Sequence, residues 1–102
     1  MNENPLILHI DVGNQSVKAW LKEHRYVIYS EIVRYCEKLL NSDLESIQAI
    51  LVSNISDNVV FLIERKNIEL ALEKAMEYFL SIEEYEKCAK IRDLHELHYK
   101  SF

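Results

Sequence analysis

Apolar residues along the chain fall first at strand spacing, then at helix spacing, and repeat that change once more. Leu6 to Val12 is apolar except at His9 and Asp11 and reads as a strand. Gly13-Asn14 closes it; Gly13 is the only glycine, so the one position that takes a positive φ without a Cβ clash falls at this turn. Val17 to Leu21 offers a second extended run, which predicts a first hairpin. From Tyr26 the spacing becomes helical, with Ile28, Ile32, Tyr35, Cys36, Leu39 and Leu40 on one face as far as about Asn41. Ser42 with Glu45 three residues on is either a capping box for a short turn or a plain loop. Ile47 to Ile55 is extended, Ser56-Asp57-Asn58 turns the chain, and Val59 to Ile63 is a β-branched, aromatic run expected to be buried on both faces or nearly so. These runs predict a second hairpin. Asn67 is the expected N-cap of a helix carrying Ile68, Ala71, Leu72, Ala75, Met76 and Phe79 on one face. Ser81 with Glu84 is a second capping box, restarting the helix as Ile82 to about Lys100.

The predicted class is α+β: a small antiparallel sheet of two hairpins, packed with one central helix and a C-terminal antiparallel helical hairpin. The chain reads as a single domain, 1–102, in which 6–65 is the strand, helix and strand part and 67–100 is the helical hairpin of the same core. Composition agrees: of 102 residues 49% are apolar, with one glycine and one proline, so few sharp turns and long helices are expected.

Charge narrows the function classes. Twelve basic residues stand against 17 acidic, a net charge of -5, and no Lys or Arg block is present to displace counterions from a duplex. Direct nucleic-acid binding is not expected. Cys36 and Cys88 each sit inside an apolar helical pattern and read as buried free thiols. Met1 to Pro5 carries no basic residue and the apolar runs are short, so neither a secretory signal nor a membrane span is expected, and the reading is cytoplasmic. Abundant Ile, Lys, Asn, Glu and Tyr suit an AT-rich bacterial or phage genome; a phage product would work in the host cytoplasm.

The informative stretch is Leu72 to Leu97, LEKAMEYFLSIEEYEKCAKIRDLHEL. Tyr85, Cys88, Ala89 and Arg92 share one helical face, and small side chains at 88 and 89 let another helix approach closely. Arg92 can lay its methylenes on that face and reach Glu86, Glu96 or a partner carboxylate. Over Ile68 to His98, Asp and Glu outnumber Lys and Arg by 8 to 4, so most of the net charge of -5 belongs here. Leu72, Met76, Glu84, Tyr85, Glu86, Cys88, Ala89, Ile91, Arg92 and Asp93 fall in register with the UVR domain, and this quarter of the chain resembles that helical hairpin of UvrB and UvrC. The resemblance implies protein-to-protein contact, as between UvrB and UvrC or in Clp-protease adaptors, with Tyr85, Glu86, Ala89, Arg92 and Asp93 as contact residues. It does not by itself imply DNA repair. Tyr78, Phe79 and Leu80 are bulkier than the family's usual residues there, and are expected to cover the protein's own sheet.

LHIDVGNQSVKAWL, residues 8 to 21, resembles the phosphate-binding hairpin of actin-like ATPases, especially type III pantothenate kinases, with Asp11, Gly13, Asn14 and Lys18 in the matching places. That fold needs more than twice this length, so only strand, turn, strand is carried over. His95 and His98 stand at i and i+3, not the i and i+4 of a zinc protease helix, and no third ligand is evident. No catalytic residue, metal or cofactor is expected. The leading expectation is a small non-enzymatic interaction or adaptor protein, binding another protein or itself as a homodimer through the acidic hairpin. The alternatives are a structural component or phage-encoded inhibitor docking through its sheet edge or first helix, and, more remotely, a phosphate- or nucleotide-binding protein.

Overall fold

A computed structural model describes residues 8–100. In order, these form β1 (Leu8–Asp11), α1 (Val17–Glu23), α2 (Arg25–Leu40), β2 (Ser46–Ser53), β3 (Asn58–Glu64), a 3-10 turn (Arg65–Asn67), α3 (Ile68–Ser81) and α4 (Tyr85–Lys100). The architecture is α+β, with helices on one face of a three-stranded sheet ordered β1-β2-β3. β2 and β3 pair antiparallel, as expected. β1 pairs with β2 in parallel, so the first hairpin does not exist and the sheet is mixed. Leu6 and Ile7, assigned to that strand, lie outside the described residues.

Why the second extended run is a helix follows from its residues. Ser16 accepts a hydrogen bond from the Ala19 amide at 3.2 Å and caps the first turn. Val17, Trp20 and Leu21 then fall at i, i+3 and i+4 and turn inward together, Val17 being buried. Gly13 does take the positive φ expected of it, at +65°, with its amide bonded to Asp11 Oδ1 at 2.9 Å. The turn leads into α1 instead of a returning strand, which removes the ATPase-like hairpin from this segment.

At the α1 to α2 joint, the His24 amide and its ring Nδ1 both reach the Trp20 carbonyl, at 3.0 and 2.8 Å. The imidazole stacks on the Trp20 indole at 4.2 Å, which fixes the direction in which α1 leaves α2. The α2 face is close to that expected, with Ile28, Tyr35, Cys36, Leu39 and Leu40 buried, Ile32 half-buried and Val33 added. Its C-terminus is held from afar: Arg65 donates to the carbonyls of Leu39, Ser42 and Leu44 at 2.7 to 3.0 Å. A guanidinium there satisfies orphan carbonyls and opposes the negative end of the helix. Ser42 forms no capping box; its hydroxyl accepts from the Leu44 amide within a loop.

A bulge at Ala49, between Gln48 and Ile50, changes the side-chain parity of β2, so Ile47, Ile50 and Val52 can all be buried. β3 is not buried on both faces. Val59, Phe61 and Ile63 face the helices, while Val60 and Leu62 are 44% and 51% exposed, because this is an edge strand covered on one side only. The helices close the core with Leu72, Ala75, Phe79, Ile91 and Leu94 against α2 and the sheet. Full burial of each large apolar side chain contributes about 1.5 to 3 kcal/mol. Among the described residues no helix is long and apolar enough to cross a membrane.

Candidate functional site

The helical hairpin is set by its turn. Glu83, in the left-handed region at φ +60°, donates its amide to Leu80, and the Glu84 amide reaches back to Phe79, at 3.1 and 2.9 Å. This pair of bonds is a Schellman motif, which ends α3 at Ser81. Helix α4 therefore starts at Tyr85, not Ile82. The expected Ser81 and Glu84 capping box is absent, since the Ser81 hydroxyl donates to the Tyr78 carbonyl at 2.6 Å. Glu84 instead anchors the turn to α2, accepting from the Tyr26 hydroxyl at 3.2 Å. Desolvation, and next the Glu84 carboxylate, push the Tyr26 phenol above its ordinary value.

Two further ties orient the pair. Lys90 Nζ meets Glu37 at 2.7 Å, joining α4 to α2. Near the start of α3 and the end of α4, Glu69 receives both imidazoles, His95 Nδ1 at 3.0 Å and His98 Nδ1 at 2.8 Å. The histidines that resemble half a metal motif thus join the two helices of the hairpin. Among the described residues no group of three or more His, Cys, Asp or Glu side chains could hold a metal ion. Of the bulky residues of α3, Tyr78 and Phe79 cover α2 rather than the sheet, Tyr78 stacking on Tyr29 at 5.0 Å and Phe79 meeting Tyr26 edge-on at 5.7 Å, while Leu80 covers neither and stays exposed on the other side.

With the inner face used in this way, the outer face carries a groove of about 450 Å³ between the helices. Met76 and Leu80 of α3 line one side, and Tyr85, Cys88, Ala89 and Arg92 of α4 the other. Of the five residues expected to make contacts, Tyr85, Ala89 and Arg92 are brought together here. Glu86 and Asp93, one position further round the helix, do not line it. Asp93 is the carboxylate that Arg92 meets, at 3.7 Å, in place of Glu86 or Glu96. Tyr85 is 63% exposed and Leu80 50%, with Ile82 beside them at 42%. The i, i+4 spacing of Met76 and Leu80 is visible in the sequence, but not that they line a groove: Met76, on the expected core face, is partly buried against the core and also borders the groove, whereas Leu80 is exposed.

Cys88 is buried at the floor of the groove. Cys36 is fully buried, and desolvation raises its thiol to about 12, which makes it a poor nucleophile near neutrality. Comparison with protein-family models, with curated proteins and with solved structures finds no match.

Proposed function

We propose that this protein is a small, non-enzymatic, cytoplasmic interaction module that docks a partner protein, or a second copy of itself, in the outer groove of the α3/α4 hairpin. The observation that carries the reading is the convergence of exposed Tyr85 and Leu80 with Met76, Ala89 and Arg92 on one groove, on the face turned away from the core. An exposed apolar surface with an aromatic and an arginine has the composition of an interaction hot spot. Glu83 and Glu84 precede Tyr85 in sequence and Glu86 follows it, so the fitting partner presents an apolar side chain beside a basic one. The UVR-like spacing of the hairpin supports the same assignment.

The test uses Tyr85→Ala and Arg92→Ala, each checked for folding by circular dichroism. Loss of a co-purifying partner, or of dimeric mass in sedimentation, is the expected result. Unchanged partners and unchanged mass in both variants would remove the proposal.

A second reading, docking through the sheet, is favoured by the exposure of Val60 and Leu62 on its uncovered face. Leu62→Lys separates it, since that variant should disrupt sheet docking and leave hairpin docking intact.

A further inference from the structure

A cavity larger than the hairpin groove lies elsewhere, between α1, α2 and α3. It is an open groove of about 600 Å³. Ile28 and Ile32 of α2, Leu21 of α1, Phe61 of β3 and Ala71 of α3 contribute to nearly wholly apolar walls. The charged residues that line it are all basic: Lys18, Lys22, Arg25 and Lys74. Among the described residues none of these cations forms an ion pair. In a chain of net charge -5, a third of the 12 basic residues converge on one apolar groove.

The convergence has a structural cause. Lys18, Leu21, Lys22, Arg25 and Ile28 continue one helical face across the α1 to α2 joint, which the Trp20 and His24 stack holds in place. Lys74 comes from α3 on the other side. Glu77 lies close by, in a polar recess that shares Arg25 and Lys74 with the groove, but does not line the groove itself.

We infer that this groove binds a small amphipathic anion, an alkyl or aryl body ending in a carboxylate, with the body against the apolar floor and the anionic end among Lys18, Lys22, Arg25 and Lys74. The volume lies within the roughly 300 to 1,000 Å³ of small-molecule sites, which combine apolar walls with a few polar groups. An extended peptide fits less well, because apolar walls give its buried amides no hydrogen-bond partner. An alkyl body carries no such cost. The cations select the sign of the head group, and remain partly in water so that their own desolvation is small.

Decanoate and 1-decanol, which differ only at the head group, test this by isothermal titration and by amide and methyl chemical shifts. Decanoate should bind one to one, at least tenfold tighter than decanol, with shifts centred on Ile28, Ile32 and Phe61. Affinity should rise about two- to fourfold per methylene from octanoate to decanoate. In Lys18→Glu/Lys74→Glu the preference for the carboxylate should fall at least tenfold while decanol binding persists. Persistence of decanol binding also shows that the groove is still folded. Ile32→Trp, which fills the groove, should weaken both probes.

Equal affinity for the two probes, no saturable binding, or shifts centred on the hairpin groove would overturn the inference. So would binding to phosphatidylglycerol vesicles without binding to monomeric decanoate, which would make the groove a membrane contact. A dimer dissolved by Lys18→Glu/Lys74→Glu and indifferent to decanoate would make it a self-association surface.

Discussion

On the face of the α3/α4 hairpin that meets α2, Leu72, Phe79 and Ile91 are fully buried, whereas on the opposite face Leu80 and Tyr85 are 50% and 63% exposed. Both faces are apolar, both come from the same two helices, and Phe79 and Leu80 are adjacent in sequence. Apolarity therefore does not assign a residue to the core. What separates the faces is the presence of α2 on one side only, held there by the Tyr26 to Glu84 and Lys90 to Glu37 contacts. The uncovered face is what the proposed docking role draws on.

The comparison can be broken most forcefully from the buried side. Phe79→Ala removes a ring packed against Tyr26 and Tyr78 and should cost about 3 to 5 kcal/mol in urea unfolding. A cost below about 1 kcal/mol would mean that the inner face is not core. The second test titrates the buried side. The Cys36 thiol ionises near 9 when unfolded and near 12 in the fold. Its contribution to stability is whole below pH 9 and is lost as the pH rises towards 12. Over that interval Cys36→Ala should unfold with a pH slope shallower by up to one proton, about 1.4 kcal/mol per pH unit, whatever its stability at neutral pH.

The hairpin turn offers a smaller effect of opposite sign. Glu83 adopts the left-handed conformation with a Cβ, so Glu83→Gly should stabilise the protein by about 1 kcal/mol, or raise its Tm by several degrees. Smallest is the outer face itself. Tyr85→Ala should change stability by no more than about 0.5 kcal/mol, while it is expected to abolish docking. A large loss of stability on that substitution would place Tyr85 in the core and erase the distinction between the faces.

How much of this was legible beforehand depended on how local the cause was. The helical face of α2, the β2 to β3 hairpin and the burial of Ile68, Leu72, Ala75 and Phe79 follow from spacing alone, because periodicity records which side of an element meets the core. The first hairpin failed for want of a distant partner. β1 needs β2, whose paired residues begin at Ile50, and nothing within Leu8 to Leu21 states that pairing. The Ser16 cap and the Val17, Trp20, Leu21 spacing did signal α1, but five residues that also suit a strand gave the extended reading. Ser42 takes the loop alternative and the Ser81 capping box is absent, because a serine hydroxyl has competing partners, here the Leu39 and Tyr78 carbonyls, that a spacing rule does not weigh.

The candidate site divides in the same way. The stripe of Tyr85, Ala89 and Arg92 was readable as one helical face. Its exposure was not, nor was its pairing with Met76 and Leu80. The cationic groove was wholly invisible, since Lys18 and Lys74 lie 56 positions apart and no block of basic residues draws attention to either.

By itself the sequence determined the class, the helical faces and the concentration of acid in the hairpin, because these depend on side-chain period and composition within short stretches. The tertiary structure decided the parallel pairing of β1, the Arg65 tie on α2, the pairing of His95 and His98 with Glu69, and which apolar faces stay open. Those depend on which elements meet, and a free face and a buried one have the same period until a neighbour covers one of them.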